Sequence, residues 1–450
     1  MPPAARPRTF IRAASEFLLP GGAEDCDNDS RLGSLLAVGV ASSLTTVITT
    51  ASLFLAWVQR MRPPSLHYSP TAANEAMLRD MPLLLRTYVP NMLSWNAHLA
   101  GFFGYVKLPG PRPPAARRET ITLPDGGTVT LNWWSSEPIN GRRVIVLFPG
   151  INNDAAMPYV RHLSSMLHRE GLGDVAAVDW RGLGGQTLTS VTDTPRPYSA
   201  AASPDVASIL AHLRARLPDS PLFAIGWSMG GGMLLRHMGD FGDECLLHGA
   251  VAVSPLIDIK AGYKHLASAA YGAYLPIITA PLVHYLWTHR RALTQGPTPV
   301  HFFRDVLFGA LREWEGLDDK IYGPLWGLKG KDEYAERGSP KAVLGAIRRA
   351  TLIVHSEDDP ICPVTAMPLA EMAANPSLVT AITRHGGHMG YTAGLSPLAH
   401  TWTDRLLVHF LRHFDRRGGR QPATSSEGRH VEAASPPPAD LPVFAVQSKL

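Results

Sequence analysis

Residues 221–232 read Pro-Leu-Phe-Ala-Ile-Gly-Trp-Ser-Met-Gly-Gly-Gly, and their centre, Gly226-Trp227-Ser228-Met229-Gly230, is a G-x-S-x-G. The apolar run 222–225 leads in as a buried strand would, and 233–238 leads out with helical character. The bare pentapeptide recurs by chance as a glycine-rich turn. Between a strand and a helix it reads as a nucleophile elbow. Such a turn is too tight for larger residues two places either side of the serine, and both are glycine. The turn would hold the Ser228 hydroxyl clear of the backbone. The helix behind it would aim its free N–H groups at any anion formed there.

The surroundings extend this pattern. β-rich runs at 120–123 and 128–133 flank Pro124-Asp125-Gly126-Gly127, a hairpin signal. Further strands are expected at 143–148, 175–179, 249–253, 351–355 and 378–382. Helices are expected at 159–169, 204–217 and 397–414, the last with Ser396 as N-cap and Pro397 at its first position. Alternating strands and helices predict an α/β domain over 119–416, with a mostly parallel sheet covered on both faces. Between 259 and 350 the rhythm is lost, and 275–287 is strongly apolar. An insertion there would sit over the carboxyl ends of the strands, where ligands bind. It is read as a helical cap whose apolar face lines an acyl pocket; the alternative is an insert packed on the core.

A serine hydroxyl needs a base, and the base needs an orienting carboxylate. The expected chain order is Ser, acid, His. Asp358-Asp359-Pro360 follows one predicted strand and Gly386-Gly387-His388 follows the next. Asp359 is the expected acid, with Asp358 as rival, because it precedes Pro360-Ile361-Cys362-Pro363 as in a D-P-x-x-P loop. His388 is the expected base; His385, before the glycine pair, reads as structural. His162 and His237 fall on predicted helices and read as packing or solvated faces. Oxyanion donors are expected at the N–H groups of Met229 and Ile151, with Asn152 as alternative to Ile151. Asn152-Asn153-Asp154 also reads as a helix N-cap cluster. No metal-ligand spacing or dinucleotide fingerprint is legible, so neither metal nor cofactor is expected.

The rest of the chain sets the context. Of its 450 residues, 45% are apolar, enough for a large core, and a net charge of +4 is too weak to argue for nucleic acid. The three cysteines, Cys26, Cys245 and Cys362, suggest neither a disulfide framework nor a zinc site. The tail 1–31 is Arg-rich at its start. Residues 32–58 carry no charge, a length that suffices to cross a hydrocarbon core of about 30 Å as a transmembrane helix, despite many Ser and Thr. Arg60 and Arg62 lean towards a cytosolic carboxyl side. Residues 59–118 read as a connector. Residues 417–450 read as a disordered tail ending in Ser448-Lys449-Leu450, a peroxisomal address that an import receptor would recognise. Loss of organelle delivery on removing those three residues is the test of that expectation.

Several stretches together resemble the YheT-like abhydrolase-domain family. They are Leu123 to Trp133, Tyr159-Val-Arg-His-Leu163, Trp180-Arg-Gly-Leu-Gly-Gly-Gln186, the elbow, Leu234-Leu-Arg-His-Met-Gly239, Asp358-Asp-Pro360 and Gly386-Gly-His388. The resemblance spans 119–414. It implies an α/β-hydrolase fold with a cap, carboxylester hydrolysis on lipid substrates, often an N-terminal membrane helix, and catalytic roles for Ser228, Asp359 and His388. It also shows a departure: the family's usual His-Gly of the oxyanion loop is Pro149-Gly150 here, followed by a bulky Ile151-Asn152-Asn153-Asp154. The alternatives are a lipid-binding protein without catalysis and an acyltransferase. No H-x-x-x-x-D signature speaks for the latter, and an epoxide hydrolase or dehalogenase would need aspartate in place of Ser228.

Overall fold

The computed structural model describes residues 28–59, 61–94, 96–107, 117–135, 137–190, 195–268, 272–295, 300–307 and 314–416. The tails at 1–27 and 417–450, with the expected address Ser448-Lys449-Leu450, lie outside the described residues. The chain divides into two compact units, one ending at Met61 and one beginning at Arg62.

Within the first unit lies helix α1 (Asn28–Gln59), which contains the expected membrane span. Its hydroxyls turn back on their own helix: Thr45 Oγ1 donates to the Ala41 carbonyl and Thr46 Oγ1 to that of Ser42, both at 2.8 Å. Among the described residues no helix is long and apolar enough to cross a membrane. The expected span is therefore corrected to a hydroxyl-rich helix, its apolar surface diluted by the interleaved Ser and Thr.

The second unit is built on one nine-stranded sheet. Its strands are β1 (Ser65–Tyr68), β2 (Arg117–Thr122), β3 (Thr128–Trp133), β4 (Val144–Phe148), β5 (Asp174–Asp179), β6 (Leu222–Trp227), β7 (Gly249–Val253), β8 (Ala350–Ser356) and β9 (Leu378–Thr383). The order is β1-β9-β8-β7-β6-β4-β5-β3-β2. From β5 through β4, β6, β7 and β8 to β9 every pairing is parallel, and the β2–β3 hairpin and β1 close the edges antiparallel. The parallel strands are apolar at successive residues because both faces are covered. In β4, Val144, Val146 and Phe148 join the core on one face, and Ile145 and Leu147 the core on the other.

The segment read as a connector is woven into this unit. It supplies β1, helix α2 (Ala72–Asp80) and helix α3 (Ala97–Tyr105). A run of only four residues, all half-buried, carried too little alternation to be legible as a strand.

Between the strands lie α4 (Pro158–Arg169), α5 (Ser203–Arg216) and α6 (Ser228–Phe241). The insertion between β7 and β8 contains α7 (Ile259–Leu266), α8 (Tyr274–Thr288) and α9 (Gly330–Gly338) with shorter helical turns. The closing helix α10 is Trp402–Arg416, starting later than expected. Its start is set at Thr401, not Ser396: Thr401 Oγ1 accepts from Asp404 N at 3.1 Å, and Asp404 accepts from Thr401 N at 2.8 Å. This is a reciprocal capping box in which Asp404 takes the place of the usual Glu or Gln.

Trp180-Arg181-Gly182, one of the stretches that carried the resemblance, is structural here. Arg181 is buried and bidentate on Asp205 at 2.6 and 2.7 Å, and it reaches Asp125 of the hairpin at 2.7 Å. Burial pulls against its charge, but the two carboxylates outweigh that and raise its pKa further. The pairing pins the β2–β3 hairpin to the end of β5.

Candidate active site

The elbow turns at Ser228, whose φ is 49°. Two glycines make that turn feasible. A Cβ at Gly226 would lie 2.8 Å from the Gly230 carbonyl oxygen, and one at Gly230 would lie 2.3 Å from those of Phe148 and Pro149. Ser228 thus begins α6 directly after β6, with its side chain at the sheet's carboxyl edge.

The loops after β8 and β9 reach the same edge. His388 Nε2 lies 2.9 Å from Ser228 Oγ. His388 Nδ1 lies 2.9 and 3.1 Å from the two carboxylate oxygens of Asp359. Asp359 is buried and also accepts from the N–H groups of Ile361 and Cys362 at 2.8 and 2.9 Å. Burial pushes its carboxyl pKa up, but His388, His355 and the backbone donors outweigh that and hold it below the usual range. It is therefore an anion at neutral pH. Asp358 turns elsewhere: it accepts from Gly387 N at 2.8 Å and faces His385 Nδ1 at 3.3 Å. Of the two adjacent acids, Asp359 meets His388 and Asp358 braces the loop that carries it.

Ile151 and Met229 both border the cavity beside Ser228. The loop after β4 is held by a network that the sequence did not suggest. Gly150 N donates to Tyr159 Oη at 3.1 Å, Asn153 Nδ2 donates to the same oxygen at 3.3 Å, and Tyr105 Oη donates to Asn153 Oδ1 at 3.0 Å. Asn152 adopts a φ of 55°, and its side-chain carbonyl accepts from Tyr198 at 3.3 Å. The expected N-cap cluster caps nothing, because α4 begins at Pro158 without a side-chain cap.

Helix α3 forms a wall of the site, and sequence reasoning missed it. A Cβ at Gly101 would lie 3.3 Å from the His388 carbonyl oxygen, and one at Gly104 would lie 2.4 Å from Gly390 Cα. Ala97, Gly101 and Gly104, spaced by four and three, were the available signal: a stripe of small residues on one helix face.

The cavity at Ser228 has a volume of about 580 Å³ and is mostly apolar. The expected cap lines it, through Ile259, Leu266, Ile278 and Leu282 among others. The same insertion also brings polar groups there, including Asp318 and Tyr322.

No metal spacing was legible in the sequence, yet among the described residues His162, His400 and Asp404 gather their ligand atoms within 4.8 Å of one another. They suit a cation poorly. The Lys107 ammonium already donates to both Asp404 oxygens, at 2.9 and 2.8 Å, and supplies the compensating charge.

Residues 145–401, more than half of the chain, match the alpha/beta hydrolase family. The chain belongs to that family. It is 25% identical to the human phospholipase ABHD3 over 84% of this chain and 92% of that one. It is 25% identical to a zebrafish (Danio rerio) monoacylglycerol lipase ABHD2, covering 77% and 82%. The embryogenesis-associated protein EMB8 of Picea glauca is 26% identical over 68% of each chain.

Proposed function

We propose that this family member hydrolyses carboxylic esters of lipids through Ser228, His388 and Asp359. The observation that carries the reading is the pair of contacts at His388, Ser228 on one nitrogen and Asp359 on the other. In this reaction His388 takes the Ser228 proton as the hydroxyl attacks the ester carbonyl. Asp359 fixes the ring's orientation and stabilises the imidazolium. The N–H groups of Met229 and Ile151 receive the oxyanion at the start of α6. The alcohol leaves with the proton from His388, and an acyl-enzyme remains. Water activated by His388 then releases the acid.

The lipid part of the proposal is supported by the apolar wall of the cavity and by relatives named as a phospholipase and a monoacylglycerol lipase. Purified protein is expected to hydrolyse medium-chain esters and to be labelled by a fluorophosphonate probe. Ser228→Ala is expected to abolish both. Undiminished labelling of the folded variant would refute the assignment.

A further inference from the structure

The wall of the cavity that the insertion contributes is not uniformly apolar. A turn of helix at Asp318–Tyr322 carries two polar side chains four residues apart, both buried and both bordering the cavity that holds Ser228. The Asp318 carboxylate accepts from the Tyr263 hydroxyl. The Tyr322 hydroxyl is buried beside Tyr198 and makes no well-formed hydrogen bond among the described residues. Leaving such a group unsatisfied is costly, and replacement by Phe would be cheaper for folding alone. Its position on the cavity supplies a reason for its presence.

We propose that Asp318 and Tyr322 form a subsite for a hydroxyl group carried by the ester substrate, an inference that rests on the hydrolase reading above. The carboxyl oxygens of Asp318 can accept a hydrogen bond, whereas a phenol can donate one. Burial, neighbouring tyrosines and the Asp318 charge all raise the Tyr322 pKa, so it keeps its proton at neutral pH. A substrate hydroxyl can donate to Asp318 and accept from Tyr322 at once. An ammonium could only donate, and a carbonyl could only accept. The apolar walls take the hydrocarbon, and this pair takes the one polar group that interrupts it.

The hydroxyl could belong to the alcohol part or to the acyl chain, and two substrate pairs separate these sources. Monodecanoylglycerol is compared with propyl decanoate, and methyl hydroxydecanoates, with the hydroxyl moved along the chain, are compared with methyl decanoate. Wild type is expected to prefer the hydroxylated member of one pair by about tenfold in kcat/KM. Tyr322→Phe is expected to erase most of that preference with no fall in Tm, and Asp318→Asn to reduce it. The ratio within one preparation discounts partial misfolding, which lowers both substrates alike. No preference in either pair, or a preference that survives Tyr322→Phe, would overturn the subsite. Fluorophosphonate labelling separates the failures: a labelled enzyme without preference loses only the subsite, and an unlabelled one loses the hydrolase reading and the subsite with it.

Discussion

At the sheet's carboxyl edge, Ser228 is held by backbone. Glycines at 226 and 230 leave no room for a Cβ, and Asp359 and Asp358 each accept a hydrogen bond from a main-chain N–H. Across the cavity, the wall supplied by the insertion is held by side chains. Tyr263 donates to Asp318, Tyr334 accepts from Ala200 N at 3.2 Å, and the Tyr322 hydroxyl, beside Tyr198, makes no well-formed hydrogen bond among the described residues. The difference teaches where each property of the enzyme resides. The surroundings of Ser228 sit on backbone at the strand ends, where a Cβ finds no room, whereas the opposite wall sits on side chains that can change without disturbing the sheet.

The largest expected effect tests whether neighbouring acids at the edge divide the work as their contacts indicate. Asp359→Asn is expected to lower kcat on a medium-chain ester by roughly 10⁴-fold, since His388 loses its anionic partner. Asp358→Asn is expected to cost about tenfold or less, because it acts only through Gly387 and His385. Similar losses in steady-state kinetics of the two variants would break the distinction.

A smaller effect is expected where α3 leans on the histidine loop. Gly104→Ala sets a Cβ against Gly390 Cα and pushes that loop away from Ser228. A misplacement near 1 Å is expected to lower kcat by about 10²-fold while the far-ultraviolet circular dichroism stays unchanged. Retained activity would show that the edge yields as readily as the cap.

The smallest effect separates the two histidines tied to α6. His388 faces the cavity with a partner on each nitrogen, whereas His237 is buried with neither nitrogen hydrogen-bonded among the described residues. Burial pulls the His237 pKa from 6.5 down to about 4. The unfolded chain therefore takes up a proton first as pH falls, and stability is lost between those two values. Denaturation at pH 7 and pH 5 is expected to differ by about 2 kcal/mol from this group, and His237→Leu is expected to remove that share. An unchanged pH dependence in the variant would sink the assignment.

Much of the architecture is legible in the sequence. Each strand from β2 to β9 falls within a few residues of its predicted span: β2 and β3 because β-rich runs flank a turn signal, and the parallel strands because burial on both faces makes them apolar at successive residues. The elbow was legible because its glycines are forced by sterics. The closing helix was misplaced by several residues because Ser396-Pro397 looked like a start, while the working cap, Thr401 with Asp404, sat further on. The strand at 65–68 and the wall made by α3 were missed. Short edge strands carry little pattern, and a small-residue stripe has meaning only once its partner is known.

By itself the sequence determined the doubly covered sheet, the turn at Ser228 and the two loops from which an acid and a base could come, since local sterics and hydrophobic periodicity act over a few residues. It favoured Asp359 over Asp358 only through the D-P-x-x-P pattern of its loop, without showing what either carboxylate meets, and it gave no sign that α3 leans on the histidine loop or that Tyr322 faces the cavity. Those were decided by tertiary structure, because each depends on which groups from distant parts of the chain arrive at the same point.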